Sequence, residues 1–63
     1  MNTIMILAEA LAKAARCEIS RLDIQYNTKT ESYTGRVWLM SDNEILNKSI
    51  FDINEDGTVT LPH

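Results

Sequence analysis

Chemistry comes nearest to the surface of this chain in the stretch Asp52-Ile53-Asn54-Glu55-Asp56-Gly57-Thr58-Val59. Side-chain oxygens recur at alternate positions, on Asp52, Asn54 and Asp56, and a glycine follows at once. Alternating oxygen donors before a sharp turn suit a hard cation such as calcium, which gathers about six to eight oxygen ligands. The same residues also suit a tight turn between two strands. Asn and Asp hydrogen-bond their own backbone there, and glycine accepts a positive φ without a steric penalty.

The first eight positions, Asp52 to Val59, resemble the start of an EF-hand loop, with Thr58 as the carbonyl ligand and Val59 as the apolar eighth residue. The resemblance then fails. The twelfth position, which should hold a bidentate glutamate, is His63, and the preceding Asn47-Lys48-Ser49-Ile50-Phe51 reads as strand where a helix should stand. A hairpin turn accounts for every residue in the stretch, and the metal loop lacks its principal ligand. We read residues 52–58 as a turn, with weak calcium binding through Asp52, Asn54 and Asp56 as the minor alternative.

No other constellation supports catalysis. Nucleophilic catalysis needs a nucleophile, a base and a group that orients the base. The only histidine is the last residue, and no glycine-rich phosphate loop is present. Cys17 directly follows the N-terminal helix, where the dipole opposes a thiolate, so it reads as a small buried hydrophobe. The expectation is a non-enzyme with no cofactor.

The elements that position these residues follow from hydrophobic period. Residues 3–16 predict an amphipathic helix, with Ile4, Leu7, Ala8, Leu11 and Ala15 on one stripe. Asn2 or Thr3 can cap its start, and Glu9 and Lys13 stand four apart in the favourable order. After Cys17 the period falls to two. Leu22, Ile24 and Tyr26 alternate with Arg21, Asp23 and Gln25, as in a strand with one wet face. Residues 33–41 predict a second strand, with Tyr33, Val37 and Leu39 on one face and Thr34, Arg36, Trp38 and Met40 on the other. A third strand is predicted over 45–53, with Ile45, Phe51 and Ile53 in one phase and Leu46 and Ile50 in the other. A short fourth covers Thr58–Leu61 and is stopped by Pro62. The expected fold is one α+β domain over residues 1–63, a helix packed on a three- to four-stranded antiparallel meander.

At 63 residues such a domain buries only about 60% of the surface its unfolded chain exposes. With one cysteine it has no internal disulfide to compensate, so packing, a partner or a metal must supply stability. The single cysteine fits a reducing compartment. No apolar run approaches the roughly 20 residues needed to span a bilayer. The apolar start has no preceding positive charge and is interrupted by Glu9 and Lys13, so we expect a structural helix in a cytoplasmic protein rather than a signal peptide.

The net charge of −3 is unevenly distributed. Residues 41–63 hold Asp42, Glu44, Asp52, Glu55 and Asp56 against Lys48 alone. An acidic end repels phosphate backbones, so direct nucleic-acid binding is not expected, whereas a basic protein surface would suit it. Trp38 has two readings. It packs under the helix, or it stands with Met40 on the sheet face that a single helix leaves uncovered, where a tryptophan marks contacts. The candidate partner-binding set is Arg36, Trp38 and Met40 on that face, with Asp42, Glu44, Asp52, Glu55 and Asp56 at the acidic end. In size and in its lack of catalytic residues the chain is similar in kind to small adaptors and inhibitors carried by phages and mobile elements, anti-CRISPR proteins among them. No motif carries that likeness. The sequence therefore points to a small acidic interaction protein, with a self-associating homodimer as the alternative.

Overall fold

The computed structural model describes residues 2–41 and 48–62. Helix α1 spans Thr3–Ala15 and is followed by strands β1 (Glu18–Asn27), β2 (Ser32–Met40), β3 (Lys48–Asn54) and β4 (Val59–Thr60). The strands form one antiparallel sheet in the order β1-β2-β3-β4, with the helix packed on one face. This is the α-β-β-β-β meander that the periodicities predict. No described helix is long and apolar enough to cross a membrane.

Asn2 caps α1: the Ile4 amide donates to its Oδ1 at 2.7 Å, satisfying one of the orphan donors of the first turn. The other end closes on Arg16, which takes the left-handed conformation at φ 56°. Its amide reaches the Lys13 carbonyl at 3.2 Å, and the Cys17 amide reaches the Ala12 carbonyl at 2.9 Å. That double closure is a Schellman-type stop, made here without the glycine that usually serves it. Cys17 is half-buried beside the core, and its thiol donates weakly to the Ala15 carbonyl at 3.4 Å.

The buried line of the helix is Ile4, Ala8 and Ala12, with Leu7 and Leu11 partly buried beside it. Ala15, expected on the stripe, is exposed, and Ala12 takes its place because the contact follows a straight four-residue repeat. From the sheet, Val37, Leu39 and Ile53 meet this line. Each large side chain among them contributes about 1.5–3 kcal/mol by leaving water. Two alanines in the helix face bring its axis close to the sheet. The closest approach is at Gly35, where an added Cβ would collide with Ile4 Cγ2. Glycine is required there because nothing else leaves room for Ile4.

A bulge fixes the phase of β1. Ile19 pairs with Leu39 and Arg21 with Trp38, so one extra residue lies between them on β1. Ile19 and Leu22, three apart in sequence, consequently both pack on the core. The expected 45–53 strand is seen as Lys48–Asn54, and Ile45 and Leu46 lie outside the described residues. The fourth strand is only Val59–Thr60, shorter than expected, because just two residue pairs join it to β3.

Candidate functional site

Alternation along β2 sends Val37 and Leu39 toward the helix and Thr34, Arg36, Trp38 and Met40 to the opposite face. Trp38 therefore lies on the side that α1 does not cover. The antiparallel register then assembles rows of neighbours across that face. Arg21, Trp38 and Ile50 form one row. Asp23, Arg36, Asp52 and Thr60 form the next, and Gln25, Thr34 and Asn54 the one beyond.

Trp38 is half-buried by its neighbours. The Arg21 guanidinium carbon stands 4.9 Å from the centre of its ring, a cation–π stack. Arg21 is held there by Asp23, with Nε donating to Oδ1 at 3.1 Å and Nη2 lying 3.0 Å from Oδ2. In the adjoining row Arg36 clamps Asp52 with both arms: Nε donates to Oδ1 at 2.8 Å and Nη2 to Oδ2 at 3.1 Å. The Asp52 hydrogen bond, then its charge, and more weakly the charge of Asp23, raise the Arg36 pKa above its ordinary value. Asp23, Arg36, Trp38, Asp52, Asn54 and Thr60 line a shallow depression of about 390 Å³. Arg21 is matched by Asp23 and Arg36 by Asp52, so this part of the face offers an aromatic-and-guanidinium platform inside a polar rim.

The residues singled out from sequence separate into three places. Arg36, Trp38, Met40 and Asp52 share the open face, with Met40 exposed at its end beside Glu18. Glu55 and Asp56 stand exposed at the tip of the β3–β4 hairpin. Asp42 and Glu44 lie outside the described residues. Asp52 is not part of a free acidic end, because Arg36 engages its carboxylate.

The tip itself is a turn. The Asn54 amide donates to the Thr58 carbonyl at 2.9 Å, and the Gly57 amide to the Asn54 carbonyl at 3.0 Å. Gly57 takes φ 91°, the conformation that glycine accommodates at this point of a three-residue hairpin loop. Asp56 Oδ1 accepts from the Thr58 amide at 2.8 Å. Hydrogen bonds from the Thr58 side chain, and then from its backbone, hold the Asp56 carboxyl below the usual carboxylate range. Asp52 is turned to Arg36 and Asp56 to Thr58, so their oxygens do not point at a common centre. Among the described residues no three His, Cys, Asp or Glu side chains gather as a metal site.

Arg21 and Asp23 are the site residues that sequence reasoning passed over. Their alternation placed them on the wet face of β1, but their position beside Trp38 depends on the bulge. The phase break between Ile19 and Leu22 is the signal that could have found it. No family model matches the chain, and comparison with curated proteins and with solved structures finds no match.

Proposed function

We propose that this protein is a non-catalytic interaction module, an adaptor or inhibitor working in the cytoplasm, that docks the open face of its sheet on a partner protein. The observation that carries this reading is Trp38, set on the uncovered face with Arg21 stacked on it and Ile50 beside it. Tryptophan and arginine are enriched at the energetic centre of interfaces, tryptophan because it buries a large rigid area and arginine because its planar guanidinium stacks and donates several hydrogen bonds. The polar rim of Gln25, Thr34, Asn54 and Thr60 gives such a centre its hydrogen bonds. Glu55 and Asp56, projecting from the hairpin tip, favour a partner whose surface beside the docking site is basic.

Trp38 is the only tryptophan, so its fluorescence reports directly on occupancy of the face. The test is affinity capture with tagged protein, run in parallel with Trp38→Ala, followed by titration of the captured partner against Trp38 emission. A partner that shifts the emission and is lost by a folded Trp38→Ala variant supports the reading. A partner that binds the variant equally well places the docking surface elsewhere. Glu55→Gln with Asp56→Asn should weaken binding and flatten its salt dependence. Unchanged affinity would remove the hairpin tip from the interface.

A further inference from the structure

The free edge of the sheet is self-complementary, and we infer that two copies of the chain pair through β1 around Ile24. The direction of the backbone groups follows from the hairpin. The Asn54 amide points to β4, so Asn54 and Thr34 face each other without exchanging hydrogen bonds, and the Thr34 backbone turns to β1. Gln25, opposite Thr34, and by alternation Arg21, Asp23 and Asn27, then bond to β2. The amides and carbonyls of Leu22, Ile24 and Tyr26 point outward. Among the described residues no strand pairs with β1 on that side.

Three features choose the occupant and its register. First, the bulge before Arg21 and the left-handed Glu31 (φ 52°) in the turn bound the regular part of the edge to residues 21–27, whose midpoint is Ile24. An antiparallel copy centred there pairs Ile24 with the partner's Ile24 and Leu22 with the partner's Tyr26, each exchanging both N–H···O bonds. Second, the apolar sides match. Tyr26 is 50% exposed and Tyr33 41%, stacked edge to face at 4.9 Å, on the helix side of the sheet but past the point where Ile4 seats on Gly35. The partner's Leu22 would lie against this uncovered pair. Third, the registers shifted toward the bulge are disfavoured. Centring on Asp23 sets that carboxylate against its own copy, and centring on Leu22 drives the ladder into the bulge. Around Ile24, Asp23 meets the partner's Gln25 and Arg21 meets the partner's Asn27, with no like charges opposed.

The product is an eight-stranded sheet whose two open faces are continuous. Each β2 would lie about 14 Å from its twin, three strand spacings of about 4.8 Å. The pairing stands apart from the docking reading, because Trp38→Ala leaves the β1 edge intact.

Sedimentation equilibrium over a range of concentrations tests it, using the whole chain and two substitutions at the exposed residue Gln25. Gln25→Lys sets a cation opposite the partner's Asp23 and should tighten the dimer. Gln25→Asp sets like charges opposite and should loosen it. The two symmetry-related pairs should shift the dissociation constant about three- to tenfold in each direction. Tyr26→Pro removes an outward amide without touching the β1–β2 ladder and should give a folded monomer by circular dichroism. A wild-type chain that stays monomeric at the highest concentration overturns the inference. So does a dimer with the opposite charge response, which belongs to the register centred on Asp23, or one indifferent to both substitutions.

Discussion

The two faces of this sheet are made by the same strands and have opposite physical characters. Toward the helix, Val37, Leu39 and Ile53 are at most 1% exposed and join the helix residues in one apolar cluster. Away from it, the apolar and aromatic side chains are fewer and mixed with charged ones: Trp38 lies under Arg21 with Ile50 beside it, and Met40 beside Glu18. The first face is closed and intolerant, because a helix with alanines at its contact line leaves no slack. The second is stabilised by pairs that water can replace. Stability thus rests on one side of the sheet and the recognition proposed above on the other, so substitutions can address one without the other.

The comparison breaks if a core substitution costs no more than one on the open face. Ile53→Ala should destabilise the domain by about 3 kcal/mol, from lost burial and the cavity left behind. In a domain this small that leaves the chain largely unfolded, which urea titration followed by circular dichroism would show. Gly35→Ala tests the same side from the opposite direction, by overfilling. Its Cβ would strike Ile4 Cγ2, so a loss of about 2 kcal/mol is expected, and combined with Ile4→Ala the total loss should fall short of the sum of the two single losses. Trp38→Ala should cost only about 1 kcal/mol, because the side chain is only partly buried. A loss as large as that of Ile53→Ala would mean that Trp38 serves the fold before any partner.

The same contrast explains what the sequence made legible. The covered face was readable because it is periodic: residues of β2 alternate, and helix residues repeat every three or four, without reference to anything distant. Gly35, a glycine inside a strand, is a sign of the helix contact above it that the sequence reading passed over. Asn54-Glu55-Asp56-Gly57 was readable as a turn because each residue acts on its own backbone. The open face was legible only in outline. Arg36, Trp38 and Met40 could be grouped by alternation, but their partners on β1 and β3 are set by register, and the β1 register turns on one extra residue near Ser20. Asp52 shows the cost of that ignorance. It read as part of an acidic end because its neighbours in sequence are acidic, whereas its neighbour in space is Arg36.

A smaller and favourable effect is expected at the junction that leads into both faces. Arg16 closes α1 at φ 56°, a conformation that costs a residue with a Cβ about 1 kcal/mol relative to glycine. Arg16→Gly should therefore raise stability by about that amount in thermal or urea unfolding. It should leave Trp38 fluorescence unchanged, because the helix end touches only the covered side. A shift in that emission would show that the faces communicate through the start of β1.

The smallest effect belongs to the hairpin tip. Asp56 is held ionised by hydrogen bonds from Thr58, so its folded pKa lies below its unfolded value. The sign follows from linkage: the contribution is fully present above the unfolded pKa and is lost as pH falls through the depressed folded one. Acid titration of wild type and Asp56→Ala should give parallel stability curves at neutral pH that converge only in strong acid, below the ordinary carboxylate range. Asp56 is fully exposed, so solvent screening keeps the separation slight. The opposite pattern, curves that diverge as the pH falls, would mean that the protonated carboxyl is the form the turn prefers. Asp56 would then stabilise the hairpin by donating a hydrogen bond rather than by accepting one from Thr58.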